Sequence, residues 1–157
     1  MRKLAEVVAL AGLVVLVGLT WSALYGPHRL PDRVPTHFDA AGAPNAWGSP
    51  AGMILLPAIA IGVYLLMSLV ARYPHAFNYP VRATPTNLPR LQAIALRMIA
   101  WIKAEVACLF AVLQGVFIQS ARSGSGALFA KVLPVFLVVI FGTVALHFIA
   151  LFRAARG

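Results

Sequence analysis

Gly52 to Ala71 reads GMILLPAIAIGVYLLMSLVA, twenty consecutive residues without one Asp, Glu, Lys or Arg. At about 1.5 Å per residue a helix of that length covers roughly 30 Å, the thickness of a bilayer's hydrocarbon core. A helix apolar on every face gains nothing from water, so the stretch is read as a membrane span. Three further stretches have the same character: Leu4 to Leu24, Ile94 to Gln119 and Leu128 to Phe152. The expected fold is an all-α integral membrane protein, a single domain over residues 1–157. It is expected to form a four-transmembrane-helix bundle, with an ordered outer loop over residues 25–51 and a cytoplasmic loop over 72–93.

Composition excludes the main alternatives. With 61% hydrophobic residues, 11% charged residues and a mean hydropathy of +0.87, the chain is too apolar for an ordinary soluble domain. The net charge of +9 does not point to nucleic acid. The thirteen Lys and Arg residues are scattered between apolar runs and make no basic face with interleaved aromatics. The single cysteine, Cys108, lies inside an apolar run, which rules out an intrachain disulfide framework and a cysteine zinc cluster. The first stretch follows Arg2 and Lys3 as a signal peptide would. It is longer than a signal h-region and no A-x-A site follows, so it is expected to be retained.

Orientation follows from the basic residues. Arg2, Lys3, Arg72, Arg82, Arg90, Arg97, Arg153 and Arg156 fall on one side, and Arg29, Arg33, Arg122 and Lys131 on the other. Eight against four places both termini and the middle loop in the cytoplasm. Ser49 with Pro50 reads as an N-cap and first-turn proline for the second helix, and Asn87 or Thr84 with Pro85 opens the third. Pro74, Pro80, Pro85 and Pro89 keep the middle loop extended and stiff. Arg90, Gln92 and Arg97, interspersed with Leu91, Ile94, Leu96 and Met98, form an amphipathic run expected to lie among headgroups before the chain turns inward. Ala104, Cys108, Ala111 and Gly115 on the third helix, and Ala58 with Gly62 on the second, are the small-residue faces expected to let helices approach closely.

The distinctive segment is LPDRVPTHFDAAGAPNAWGSP, Leu30 to Pro50. Pro31 and Pro35 enforce extended backbone, Asp39 and Gly42 fit the first and last positions of a turn, and Trp47 suits a membrane interface. A hairpin-like cap over the helix ends is expected. The same string resembles the bacterial membrane-domain family of unknown function that forms the N-terminal part of SdpI-type immunity proteins. Leu30, Pro31, Val34, Pro35, His37, Phe38, Asp39, Gly42, Trp47 and Gly48 carry the resemblance. It implies a bacterial cytoplasmic membrane, and, for SdpI-type proteins, immunity to a secreted toxic peptide with sequestration of a repressor at the membrane. Those proteins carry a further C-terminal membrane half, which Tyr79 to Gly157 does not resemble. Phe77-Asn78-Tyr79-Pro80 and the long third helix are similar instead to stand-alone members of the family, a likeness that implies no function.

His37, Phe38, Asp39, Gly42, Asn45 and Trp47 are the candidate ligand-binding residues. His37 and Asp39 share a side of an extended segment, and His28 stands at the loop's entrance, so the three are weak metal candidates. Two ligands and one optional third fall short of a zinc site, and no cofactor is expected. The bland alternative has Asp39 capping the turn and His37 bonding within the loop. Inside the membrane Glu6, Lys103, Glu105 and His147 are the ionisable groups. Lys103 is expected to snorkel, leaving Glu105 with His147 as the best intramembrane pair, for helix packing or for proton relay. The leading function is non-enzymatic recognition of an extracellular peptide or small ligand by the outer loop, with a cytoplasmic protein partner at the basic inner loop. A small transporter or proton-coupled channel using Glu105 and His147 is second, and a metal-dependent membrane enzyme third. No nucleophile with His and acid neighbours, phosphate loop or H-E-x-x-H occurs in the sequence.

Overall fold

The computed structural model describes residues 1–39 and 41–155. Four helices follow the apolar stretches: α1 Arg2–Tyr25, α2 Leu55–Val70, α3 Leu88–Ser123 and α4 Phe129–Ala155. Each is long and apolar enough to cross a membrane once the 3₁₀ turn Pro50–Ile54 is counted with α2. The chain is a multi-pass membrane protein, its expected architecture stands, and the hairpin expected in the first loop is built as strands. Between α1 and α2 a two-stranded antiparallel sheet forms from β1 Val34–Phe38 and β2 Pro44–Gly48.

The centre of the bundle is α3, against which α1, α2 and α4 all pack. Its closest partner is α1, which runs parallel to it although it is not its neighbour in sequence. One face of α1, Ala5, Ala9, Gly12, Leu16, Thr20 and Ala23, is buried at helical spacing. It meets Ala100, Lys103, Ala104, Ala107, Ala111 and Gln114 of α3, also buried. A Cβ added at Gly12 would stand 3.1 Å from the Ala107 backbone, so the two helices touch main chain to main chain. Without a hydrophobic driving force between lipid-solvated helices, such close approach supplies the dispersion contacts that hold them. The expected face of α3 is thus used, Ala104 and Ala111 included. Ala58 and Gly62 are not: both are exposed, nothing lies within 4 Å of a Cβ at Gly62, and α2 buries Pro57 and Ala60 instead.

The start of α3 departs from expectation. The amphipathic run joins the span without a turn, because α3 is one continuous helix of 36 residues. Leu91 is fully buried with Leu151 and Ala154 of α4, and Tyr79, Val81 and Ile94 pack around them. That small core at the end carrying Met1 and Ala155 keeps the amphipathic run helical, with Arg90 and Arg97 on its exposed side. Thr84 and Asn87 do open α3. Asn87 Oδ1 accepts from Thr84 N at 2.8 Å, and Thr84 Oγ1 accepts from Asn87 N at 3.3 Å, ahead of Pro89 in the first turn. Ser49 Oγ accepts from Ala51 N at 3.2 Å, capping the 3₁₀ turn that leads into α2 rather than α2 itself. In the middle loop Pro74–Ala76 makes a short 3₁₀ turn. Tyr79 folds back there to donate to the Pro74 carbonyl at 3.2 Å, and burial pushes its phenol above the ordinary value, keeping it a neutral donor. Arg156, counted above among the basic residues, lies outside the described residues.

Candidate functional site

Two polar constructions stand out from the apolar framework, the hairpin at one end and a set of charged and amide groups inside the bundle. The hairpin is built by its turn. Asp39 N donates to Ala43 O and Gly42 N to Asp39 O, each at 2.9 Å, while Asp39 Oδ1 accepts from the amides of Ala41 and Ala43, both at 2.9 Å. Gly42 has φ +83°, a conformation costly for any side chain. Register irregularities flank His37, and they let its ring reach across the ladder, where Nδ1–H donates to Asn45 Oδ1.

The hairpin is rooted at both ends. At its base Leu30, Val34 and Met53 form a buried apolar cluster with Ala23 of α1 and Ile118 of α3. Leu30 N donates to Ala23 O at 2.8 Å, and Arg122 of α3 donates to the His28 carbonyl at 3.0 Å. At its tip Gly126 N, in the connection between α3 and α4, donates to Gly42 O at 2.9 Å. Phe38 lies so close to Gly126 that a Cβ there would fall 2.5 Å from its ring. The result is a rigid plate that leaves Thr36, His37, Asn45, Ala46 and Trp47 exposed, Trp47 by 52%.

These contacts bring the sequence candidates together in part. His37 and Asn45 are neighbours, Asp39 and Gly42 make the turn, Phe38 packs on Gly126, and Trp47 stands outward. The metal reading is corrected. Asp39 is turned back onto the turn amides, His37 is committed to Asn45, and among the described residues no three His, Cys, Asp or Glu side chains converge. His28, His37 and Asp39 therefore make no ligand set. Asp39→Ala is expected to cost about 1 kcal/mol of turn stability by orphaning two amides, whereas His37→Ala, an exposed cross-strand pair, costs less than about half of that. Hydrogen exchange over residues 34–48 reads the difference, and equal protection in the two variants would show that the carboxylate is no staple.

Inside the bundle the pairing also differs from expectation. Lys103 does not snorkel. It is 4% exposed and its Nζ meets Glu6 Oε1 of α1 at 2.6 Å and Ser68 Oγ of α2 at 3.1 Å. Tyr64 donates to the other Glu6 oxygen at 3.2 Å, and its ring lies 4.7 Å from the ammonium. One cation thus ties three helices. Glu105 and His147 are not directly paired, because Thr143 stands between them. Its hydroxyl donates to Glu105 Oε1, and its carbonyl accepts from His147 Nδ1 at 2.8 Å. Nearer the hairpin Gln114, with no exposure at all, donates to Thr20 Oγ1 at 2.8 Å and approaches the Met53 carbonyl at 3.5 Å. Sequence reasoning passed over this residue as a role; a lone amide in an apolar run was its signal.

Fold and site together define a multi-pass membrane protein with a docked hairpin between its first two spans. Residues 13–61, which take in the second half of α1, the hairpin and the start of α2, match the family model described as "Domain of unknown function (DUF1648)". An uncharacterised protein of Archaeoglobus fulgidus is 36% identical over 76 residues, covering 43% of this chain and 42% of that protein. The match spans less than half the length of that relative. No solved structure matches the chain.

Proposed function

We propose that the chain is a non-enzymatic protein of the cytoplasmic membrane that recognises an extracellular peptide or small ligand on the outward plate of its hairpin. The observation that carries this reading is the hairpin's anchoring. It is fixed at base and tip, yet His37, Asn45 and Trp47 project from it with no packing role, an aromatic anchor beside adaptable polar groups. A preorganised plate loses little entropy on binding. The basic residues support an orientation with both termini and the middle loop cytoplasmic and the hairpin outside. The likeness to SdpI-type proteins supplies the ligand class, a secreted peptide, and the exposed Arg72, Tyr73 and His75 offer an inner surface for a protein partner. Transport through Glu105 and His147 is less well supported. Between Glu105 and Gln114, α3 carries only the Cys108 thiol among apolar side chains, too little for a hydrated path.

Photo-crosslinking tests the reading. With a photoreactive residue in place of Trp47, intact cells in spent medium of the source organism are expected to yield a peptide adduct that Asn45→Ala abolishes. Adducts with lipid alone would sink the recognition reading. In a Cys108→Ala background, an impermeant thiol reagent is expected to label Asn45→Cys and spare Arg82→Cys. The reverse pattern would invert the orientation.

A further inference from the structure

At the opposite end of the bundle from the hairpin, a pocket of about 200 Å³ opens between the start of α1, α3 and α4, lined by Met1, Ile94, Arg97, Trp101, Leu146, His147 and Ala150. Its walls divide by chemistry: Ile94, Leu146 and Ala150 are apolar, whereas Arg97 and Trp101 each offer an N–H donor. Arg97 is exposed and has no ion-pair or hydrogen-bond partner among the described residues. His147 has its Nδ1–H committed to the Thr143 carbonyl, which fixes the ring and leaves Nε2 free of partners among those residues.

Depth decides what such a pocket meets. Arg2 and Lys3 open α1, and basic residues flanking a span sit at the headgroup level. The pocket shares Met1 with that level, so Arg97 and the Trp101 indole lie at the border between headgroups and acyl chains. A cation and an indole donor above an apolar cleft between helices match a phosphate ester carrying hydrocarbon chains. We infer that this cleft is a binding site for the phosphate headgroup of an anionic phospholipid, held by Arg97 and the Trp101 indole with its acyl chain along Ile94, Leu146 and Ala150. No acidic side chain lines the cleft: Glu6 is paired with Lys103, and Glu105, which accepts from Thr143 through one oxygen, is not among its walls.

The test uses the full chain with Trp21→Phe and Trp47→Phe, so that Trp101 is the sole tryptophan, in vesicles of phosphatidylcholine containing acyl-brominated phosphatidylglycerol or acyl-brominated phosphatidylcholine. Brominated phosphatidylglycerol is expected to quench Trp101 with roughly fivefold greater apparent affinity, the scale one basic side chain gives near an anionic surface. Arg97→Gln should erase that preference and Arg97→Lys should retain part of it, with thermal stability unchanged in both. Equal quenching by the two lipids, or a preference that survives Arg97→Gln, would overturn the assignment. Inorganic phosphate is expected not to relieve the quenching; relief would assign the cleft to a soluble phosphate compound instead.

Discussion

Glu6→Leu will destabilise the bundle far more than Lys103→Met, although the two substitutions break the same ion pair. The asymmetry follows from burial. The Lys103 side chain is 3% exposed and the Glu6 side chain 30%, so the carboxylate can turn toward water or headgroups when its partner is lost. The ammonium cannot. Without Glu6 it is left with the Ser68 hydroxyl and the Tyr64 ring, neither of which carries a compensating charge. Stranding a buried charge costs about 3–5 kcal/mol, whereas exchanging a buried pair for packed apolar groups is often neutral. Glu6→Leu should therefore lower stability by about that amount, Lys103→Met by about half of it or less, and the double variant should recover most of the loss. Thermal unfolding in detergent, read by near-ultraviolet circular dichroism, gives the order. If Lys103→Met were the costlier change, or if the double variant were no better than Glu6→Leu, the ammonium would not be the buried partner.

The same pair marks the boundary of what a single sequence reveals. Spans and loops were legible because apolar length is a property of contiguous residues, as the charge-free run from Gly52 to Ala71 illustrates. The hairpin turn was legible for a similar reason, since Asp39 and Gly42 act on backbone within four residues of themselves. Glu6 and Lys103 lie 97 positions apart, and nothing local states which helix α3 touches. Letting Lys103 snorkel leaves Glu105 with His147 as the remaining intramembrane pair. That pairing leaves out Thr143, one turn before His147 on α4, whose hydroxyl and carbonyl serve both groups. Helix faces failed for the same reason. Alanine and glycine are common on every face of a membrane helix, so the sequence singles out Ala58 with Gly62 on α2 and passes over Ala5, Ala9 and Gly12, which the parallel packing of α1 on α3 buries.

Gly126→Ala is expected to release the hairpin from the bundle while leaving the spans in place. Gly126 accepts no side chain because Phe38 occupies its space: an added Cβ would lie 2.5 Å from Cγ and 2.8 Å from Cβ of that residue, and the latter is backbone-fixed. Rotating the ring does not relieve the clash, so the α3–α4 connection or β1 must move. Movement breaks the Gly126 N–H bond to Gly42 O, the contact that seats the tip. Overpacking of this kind costs about 1–3 kcal/mol, and here the cost falls on docking rather than on helix packing. The base remains rooted by Leu30, Val34 and Met53, so the loop should become protease-sensitive around residues 38–44 with little change in bundle melting. Phe38→Ala, which removes the ring, leaves Cβ in place and should restore only part of the resistance when combined with Gly126→Ala. Phe38→Gly removes the Cβ as well and should restore more. If Gly126→Ala left the loop as resistant as the parent chain, the tip would not be docked. The plate proposed for ligand recognition would then lose the preorganisation on which that proposal depends.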